Sequence, residues 1–447
     1  MQPPSERSAV EPVTRILAGR LAAATYSGLP PEVVDATRRS VLDWLGSAQA
    51  GALEPAARMA QRIVARMGKS EEATVFAAGR SSASGAALAN GVASHILELD
   101  DIHKGSTVHA GAPVISAAYA VAEREHADGR SFLLAVAVGY EAALRIGEAV
   151  NPSHYRFFHP TGTAATFGAA AAAASLLQLD DTEMLDALGS AGTQAAGLWE
   201  FNADGAMSKH LHAGKAAFNG VLAADLAREG FTGASRILEG ERGFFRAMSE
   251  SYDPTRISDS LGSRWKISEN CFKLHACCGH THSAVDLALE FRSSRGWSGR
   301  EALEQVQSIQ IETYGPGYEI VKNMAPSTPY QEKFSIGYCV AKALCEDDPR
   351  ALLSRTRVTV AGDLTARYPG AWPARLTVTL RDGEVVMRSA EYPRGNPENP
   401  VSTHELEEKF RSLIAPRYGP QHAARAIEIC AALETHPDLE GAFTPQL

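Results

Sequence analysis

The sequence predicts a mainly α protein, with a large all-helical domain and a smaller α+β lid domain. Apolar residues recur at helical spacing through about residue 250. After Glu301 the sequence alternates apolar and polar residues, which is typical of strands, and a helical pattern returns near Ser402. The 447 residues exceed the size at which one hydrophobic core stops growing, so two domains are expected.

The first part of the chain carries a series of helical patterns separated by polar breaks. Pro113 suits a first helical position, Asp180 and Glu183 have capping-box spacing, and Gly230 follows a last turn. Many of these segments are rich in Ala and Gly, which lets helices approach closely in a layered bundle. The predicted helices cover residues 31–48, 84–97, 113–125, 131–150, 163–178, 182–192 and 211–229.

Strand patterns are confined to the later part. VQSIQIETYG predicts one strand, and RLTVTLRDGEVVMRSAEY predicts an antiparallel hairpin that turns at residues 381–383. A Pro-rich loop then leads to a helix at Ser402, where Glu405 again gives capping spacing. We therefore predict a helical domain of residues 1–268 and 403–447, with residues 269–402 forming the α+β lid domain.

Composition and charge exclude several classes of function. Hydrophobic residues make up 45% and charged residues 21%, as in ordinary globular proteins. The formal charge is -9, and the absence of a basic run argues against a nucleic-acid or anionic-membrane partner. The polar start MQPPSERSAVEP and the lack of about 18 successive apolar residues predict neither a signal peptide nor a membrane span. We therefore expect a cytoplasmic location.

Polar residues concentrate in four stretches, 98–109, 157–162, 208–215 and 273–282. In the first, ELDDIHKGSTVHAGAP, Glu98, Asp100, Asp101, His103 and His109 lie in a loop between two predicted helices. Loops held by rigid helices often carry function. The alternative is that the acids cap the loop and the histidines bond locally.

The second and third stretches offer groups that suit an anionic substrate. In FFHPTGTAA, His159 and Thr161 precede an Ala-rich helix whose free amides favour a carboxylate. Thr161 or Thr163 could instead be the N-cap. In SKHLHAGKAA, Lys209 and His212 are three residues apart, so they could share a helix face.

The fourth stretch, KLHACCGHTH, places Lys273 and three histidines around two thiols. A zinc or iron–sulfur site is not expected, because adjacent Cys277 and Cys278 cannot easily bind one ion and no second ligand cluster has the spacing. The nucleophile elbow, Walker loop and dinucleotide fingerprint are also missing. No metal or other cofactor is therefore expected, and the six cysteines are interpreted as reduced thiols.

Together these groups supply bases and cations suited to removing a proton beside a carboxylate and stabilising the enolate-like charge. The reaction can end in loss of a β-hydroxyl, in return of the proton on the opposite face, or, for a related decarboxylation, in protonation after CO2 leaves. A non-catalytic helical scaffold and a zinc lyase are the rival functions.

The ELDD run with its following histidine, FHPTG, SKHLHAGKAA and KLHACCGHTH resemble the MmgE/PrpD family over nearly the whole chain. That family includes 2-methylcitrate dehydratase, cis-aconitate decarboxylase and iminodisuccinate epimerase. The resemblance implies a helical domain with an α+β lid, a homodimer, no metal and a small polycarboxylate substrate.

On these grounds we predict one wall of the site at residues 98–109, with residues 159 and 209 opposite and a lid tyrosine above. The predicted catalytic residues are His109, His159, Lys209 and Asp101. The predicted substrate-binding residues are Glu98, Asp100, His103, Thr161, His212, Lys273, Cys277 and Tyr318, with Tyr314 competing for the last position.

The chain departs from the family pattern at two places. The usual Asp-Asp-Thr becomes Asp101-Ile102, with about one extra residue before His109, and a decarboxylase's lid histidine corresponds to Cys277. These departures argue against strict cis-aconitate decarboxylase activity. The missing Thr hydroxyl favours an epimerase or another divergent member over a methylcitrate dehydratase, with His109 and Lys209 as candidate proton donor and acceptor in the epimerase. In the alternative dehydratase, His159 or His109 would protonate the leaving hydroxyl.

Overall fold

The computed structural model describes residues 12–445, so the polar start on which the signal-peptide expectation rests lies outside it. The mainly α fold with a smaller α+β part is confirmed. Among the described residues, no helix has the length and apolar character needed to cross a membrane. The helices of the first part are α1 (Val13–Ala22), α2 (Pro31–Gly51), α3 (Pro55–Met67), α4 (Ala83–Ile96), α5 (Gly111–Arg124), α6 (Gly129–Val150), α7 (Ala164–Leu176), α8 (Asp181–Gly192), α9 (Phe201–Asp204), α10 (Ser208–Arg228), α11 (Phe244–Met248) and α12 (Thr255–Ser258).

The seven predicted helices of this part are all present, with ends that agree to about three residues. The Asp180–Glu183 capping box is confirmed. The expectation that Pro113 begins a helix was wrong, because α5 begins two residues earlier at Gly111. The helical part also contains a two-stranded ribbon of β1 (Ala73–Val75) and β2 (Gly79–Ser81), whose strands are too short to show alternation in the sequence.

Small residues set the spacing of the central helices. A Cβ on Gly91 of α4 would lie 2.8 Å from Cα of Gly214 in α10, so only glycine allows these backbones to meet. The Ala-rich α7 is buried along almost its whole length between α6, α10 and α5. The close contact of α4 with α10 matters for function because both helices carry polar residues at the same end of the bundle.

The lid contains one mixed sheet in the order β4-β3-β5-β6, in which only β3 and β4 are parallel. The predicted β5–β6 hairpin is confirmed, whereas β4 was not predicted. The strands are β3 (Val306–Thr313), β4 (Thr356–Val360), β5 (Ala374–Leu380) and β6 (Val385–Ala390). The helices of this part are α13 (His282–Ser294), α14 (Arg300–Gln305), α15 (Gly315–Val321), α16 (Pro329–Lys333), α17 (Ile336–Leu344), α18 (Pro349–Leu353) and α19 (Gly362–Thr365).

The chain ends with α20 (Thr403–Tyr418) and α21 (Pro420–Ala431), and the predicted capping box at Ser402 and Glu405 is confirmed. Residues 12–445 contain three hydrophobic clusters, of which the smallest joins Ile102 and Cys271 to Tyr314, Ala361, Leu364 and Trp372. The largest joins residues 13–272 with residues 401–443, and the second lies within residues 277–390. The domain boundaries at 268/269 and 402/403 stay a prediction.

Candidate active site

Polar residues from all four stretches meet where the C-terminal end of α4, the N-terminal ends of α7 and α10, and the lid segment 271–281 come together. The packing of α4 on α10 brings the loop after α4 against the first turn of α10. The lid segment reaches the same place through an antiparallel bridge between Ile102 and Cys271. Four pieces of chain that are distant in sequence therefore meet around one buried polar site, which we call the cleft.

A buried carboxylate with two ammonium groups lies at the centre of this cleft. Glu98 forms an ion pair with Lys209, and Lys273 Nζ lies 3.4 Å from its second oxygen. Burial would raise the pKa of Glu98, but the two ammonium groups outweigh it and hold the pKa well below its usual value. Burial would likewise lower the pKa of Lys273, yet Glu98 raises it overall. Glu98 and Lys273 are therefore charged, and Lys209 pairs with the other oxygen of the carboxylate.

Glu98 also adopts an unfavourable backbone conformation. Its φ is 59°, in the left-handed region that costs a residue other than glycine about 1–2 kcal/mol. Strain of this kind is found at functional sites, where the surrounding structure maintains it. Here the two ion pairs to lysine supply that restraint.

Two imidazoles share the Asp100 carboxylate. Nδ1 of His95 lies 2.6 Å from Asp100 Oδ2, and Nδ1 of His109 lies 3.4 Å from the same oxygen. Burial would raise the pKa of Asp100, but the two histidines lower it well below its usual value. Burial lowers the pKa of His109 to about 4, so this imidazole is neutral near pH 7.

A second pair of imidazoles lies next to the first. The His159 ring stacks on His95 with 5.5 Å between centroids, and its Nδ1 lies 3.2 Å from Nδ1 of His212. Burial, with His212 and Lys209 nearby, lowers the pKa of His159 well below its usual value. Burial lowers the pKa of His212 to about 4. These rings can accept or donate a hydrogen bond without adding charge.

Several buried polar atoms around this cluster have no hydrogen-bond partner among residues 12–445. They are His95 Nε2, His210 Nδ1, Trp199 Nε1 and the Tyr330 hydroxyl. These side chains lie close together. The centre of the His210 ring is 5.7 Å from that of Tyr330 and 6.4 Å from that of His95. The Trp199 ring centre is 5.2 Å from that of His159. Most buried polar groups in proteins are paired, so this concentration indicates where a polar ligand binds.

The lid contributes a further cation and a chain of aromatic groups. The half-buried Lys333 donates from Nζ to the carbonyl of Leu97 at 2.8 Å, directly before Glu98. His280 connects two tyrosines, with Nδ1 at 2.6 Å from the hydroxyl of Tyr314 and Nε2 at 3.3 Å from that of Tyr155. Burial lowers the pKa of His280 to about 3. The lid side of the cleft therefore presents one more positive charge and neutral donors.

Asp101 does not join the imidazole cluster, contrary to the catalytic role predicted for it. Its carboxylate accepts hydrogen bonds from the Tyr140 hydroxyl, from Asn270 Nδ2 at 2.6 Å and from the Gly111 amide at 3.0 Å. Burial raises the pKa of Asp101 to about 7. The Asp101 side chain points away from the cleft. Its hydrogen bonds connect α5 and α6 with Asn270, which directly precedes the lid segment.

The structure also places His103 outside the cleft, and its predicted contact with the substrate stays a prediction. Its Nδ1 bonds with the Ser106 hydroxyl at 3.0 Å, and its Nε2 lies 3.7 Å from Glu148 and 3.8 Å from Glu269. Lys266 bridges the two carboxylates at 2.8 and 3.4 Å. His103 is therefore part of a separate charged network.

The structure also corrects the two lid assignments. The half-buried Tyr318 is not the tyrosine of the aromatic chain, because Tyr314, its competitor, is fully buried and bonds His280. The Cys277 thiol points into the lid, 2.9 Å from the Thr281 hydroxyl. The neighbouring Cys278 faces the cleft, where Lys209, Glu98 and Lys273 act on its thiol.

The two threonines before α7 do not cap that helix. The Thr161 hydroxyl accepts the amide hydrogen of His109 at 3.1 Å, and the Thr163 hydroxyl lies 2.7 Å from Nε2 of His154. Thr161 therefore positions His109, whereas its predicted contact with substrate stays a prediction.

Sequence reasoning missed some cleft residues. His95 lies one helical turn before Glu98, and this i, i+3 spacing could have revealed it. His210 lies in the SKHLH motif, but it was not predicted because only Lys209 and His212 were placed on one helix face. Lys333 and Tyr330 carry no local signal, because the docking of the lid alone brings them to the cleft.

Among the described residues, three groups have ligand atoms close enough to hold a metal ion. The buried group, His95, Asp100 and His109, lies in the cleft, where the two imidazoles share one carboxylate oxygen. The group around His103 already contains the Lys266 ammonium between its carboxylates, which disfavours a second cation. The group around His126 is fully exposed.

Comparison with known proteins gives matches along almost the whole chain. The MmgE/PrpD N-terminal domain matches residues 15–257, and the MmgE/PrpD C-terminal domain matches residues 275–435. The cis-aconitate decarboxylase-like protein oryM of Aspergillus oryzae is 27% identical over 92% of both chains. Human cis-aconitate decarboxylase is 28% identical over 92% of this chain and 89% of its own, and that of Aspergillus terreus is 26% identical over 86% of each.

Proposed function

The chain belongs to the MmgE/PrpD family, and we propose that it is a lyase that decarboxylates a small unsaturated polycarboxylate of the cis-aconitate type. The relatives named above are cis-aconitate decarboxylases or resemble them. They give no support to the epimerase favoured from the sequence. In the sequence Cys277 counted against a decarboxylase, but its thiol points away from the cleft.

The observation that carries this proposal is the excess of buried positive charge beside unpaired donors. Lys209 and Lys273 are matched in number by the carboxylates of Glu98 and Asp100, and Lys333 adds a third ammonium group from the lid. A carboxylate entering this cleft balances the excess and gives partners to atoms such as the Tyr330 hydroxyl. A substrate with several carboxylates therefore fits better than a neutral one.

In the proposed reaction Lys273 and Lys333 bind carboxylates that remain on the substrate. The bond from carbon to the departing carboxylate breaks, CO2 leaves, and the electron pair is delocalised over the adjacent double bond and a neighbouring carboxylate. The neutral His109 and His159 donate hydrogen bonds to oxygens on which charge develops. The Lys209 ammonium then gives its proton to carbon, and solvent replaces that proton.

Glu98 positions the proton donor in this scheme. Its carboxylate fixes Lys209 in position, while the centre of the Phe334 ring lies 4.9 Å from the Lys209 amine. A donor held in one geometry loses little entropy at the transition state, which raises the rate.

Proton NMR of cis-aconitate incubated with the enzyme in deuterated water tests the proposal. The expected result is release of CO2 and a product that carries one deuterium at the protonated carbon. Loss of water from 2-methylcitrate would indicate a dehydratase, and inversion of iminodisuccinate would indicate an epimerase. Either result without CO2 release from cis-aconitate overturns the proposal.

A matched pair of lysine variants tests the role of the proton donor. Lys209→Ala should lower kcat by roughly a hundredfold or more. Lys215→Ala, six residues further along α10, removes an amine that bonds only the Gln194 carbonyl within the described part of the chain. Its kcat should match that of the wild type, and equal losses in both variants would contradict the assignment.

A further inference from the structure

The lid contains two thiols that the proposed reaction does not use. A cavity of about 480 Å³ is lined by both Cys277 and Cys339. The thiols come from different elements, because Cys339 belongs to α17 and Cys277 precedes α13. Both are free and buried. An opening in the protein thus reaches a pair of cysteines rather than a single one.

The two cysteines come together at the Lys333 carbonyl. Cys339 Sγ lies 3.9 Å from its oxygen, and the amide of Cys278, next to Cys277, donates to the same oxygen at 2.9 Å. Cys277 Sγ lies 2.9 Å from the Thr281 hydroxyl, and Nε2 of His282 lies 3.3 Å from the Cys277 carbonyl oxygen. Cys277 therefore has a hydroxyl and an imidazole nearby, whereas Cys339 Sγ faces carbonyl oxygens.

A paired imidazole and carboxylate lie close to Cys277. His275 bonds Asp286 at 2.7 Å, and its ring lies 5.0 Å from that of His282. Burial would lower the pKa of His275, but Asp286 raises it overall. The lining of the cavity adds the ammonium groups of Lys333 and Lys342 and the carboxylates of Glu332 and Glu346.

These surroundings separate the two thiols in acidity. The neighbouring Cys339 thiol, with His282 and His275, holds the pKa of Cys277 well below its usual value despite burial. The neighbouring Cys277 thiol and burial raise the pKa of Cys339. By contrast, burial raises the pKa of Cys271 and of Cys278 to about 12. Cys277 is thus the thiol that is ready to act as a nucleophile.

We propose that Cys277 is a peroxide-reactive thiolate and that Cys339 is its resolving thiol. The Cys277 sulfur attacks one peroxide oxygen, the O–O bond breaks, and hydroxide leaves, which gives a sulfenic acid. Cys339 then attacks the Cys277 sulfur, an S–S bond forms, and the sulfenic hydroxyl leaves as water with the Cys339 proton. Two thiols lose two electrons in total, and one peroxide is reduced to two waters.

The disulfide would join the segment that carries Lys273 and Cys278 to α17 of the lid. Cys278 is already connected to this region, because its amide donates to the Lys333 carbonyl at 2.9 Å. The cross-link would therefore act on the lid side of the cleft.

The reduced full-length protein is treated with hydrogen peroxide and followed by intact mass and peptide mapping. The wild type should lose the mass of two hydrogen atoms and yield a peptide cross-linked between residues 277 and 339. Cys339→Ser should instead gain one oxygen on Cys277, trapped by dimedone as a sulfenic acid. Cys277→Ser and Cys277→Ala, checked by circular dichroism, should give neither product.

Cys430→Ser is the matched control, because Cys430 is also buried but lies in α21 of the helical part. It should behave as the wild type does. Cys277 should also react with peroxide at least about tenfold faster than Cys430. A cross-link between another pair, or equal rates at both positions, overturns the proposal. The readout is mass, so its result does not depend on the proposed decarboxylation.

Discussion

Replacement of Glu98 with glutamine removes one charge from the centre of the cleft at nearly constant shape. The side chains of Glu98, Lys209 and Lys273 are each no more than 2% exposed, so water cannot replace the lost carboxylate. Removing one partner of a buried ion pair costs about 3–5 kcal/mol. Glutamine keeps a hydrogen-bond acceptor, so we expect a loss of about 3 kcal/mol, at the lower end of that range.

This loss converts into a measurable melting shift. An unfolding entropy of about 2.1 cal/mol/K per residue over 447 residues gives about 0.9 kcal/mol/K. A loss of about 3 kcal/mol therefore lowers Tm by roughly 3 °C if the chain unfolds as one unit. Because Lys209 is no longer held in position, CO2 release should also slow by about a hundredfold. Scanning calorimetry and a CO2 assay on the same preparation measure the two effects.

Glu141→Gln provides the matched control for stability. Glu141 forms another fully buried ion pair, with Arg145 within α6, and this pair lies outside the cleft. Its loss should lower Tm by a similar amount while kcat stays at the wild-type value. If Glu98→Gln melts and turns over as the wild type does, the idea that Glu98 holds both lysines is refuted.

Three further predictions concern individual side chains. His159→Ala should lower kcat by about a hundredfold without a large change in fold, measured by CO2 release, because one neutral hydrogen-bond donor is lost. The pKa of Asp101 is about 7 in the folded state and about 4 in the unfolded state. Between these two values the folded state keeps a proton that the unfolded state loses. The free energy of unfolding should therefore fall as pH rises from about 4 to 7, by up to about 4 kcal/mol. Urea unfolding of Asp101→Asn at pH 5 and pH 8 should show a smaller difference in the free energy of unfolding than the wild type does. An unchanged difference would contradict the assignment. Tyr314→Phe should slow turnover more than Tyr318→Phe, because of these two tyrosines it is Tyr314 that bonds His280. The reverse order in the CO2 assay would favour Tyr318 as the tyrosine of the site.

The elements that could be predicted are those with a local cause. Side chains that cap a helix, such as Asp180 and Ser402, lie within four residues of the amides they bind, so the sequence displays both partners. The β5–β6 hairpin is similar, because its turn and both strands are contiguous. Strand β4 was missed because it pairs with β3, some fifty residues earlier, through a parallel crossover. Its five residues carry no turn signal of their own.

The candidate site follows the same division. Lys209 and His159 lie in conspicuous polar motifs, so residue type alone pointed to them. Residue type could not show which of two adjacent residues faces the cleft, because successive residues in an extended segment point to opposite sides. Asp100 therefore faces the imidazoles while Asp101 faces Tyr140, and Cys278 faces the cleft while Cys277 faces the lid. Composition cannot show which member of such a pair faces inward, because that depends on how the segment enters the fold.

The residues of these motifs that face away from the cleft have a structural function. Asp101 binds Asn270 of the lid segment and the Gly111 amide of α5, and the adjacent Ile102 forms two backbone hydrogen bonds with Cys271, each 2.9 Å long. Glu98 and Lys273 lie on either side of this bridge and face each other across the cleft. Any movement of the lid segment must therefore carry the loop with it or break the bridge. The pairing of carboxylate and ammonium in the cleft is thus stabilised from behind by residues that never need to touch the substrate.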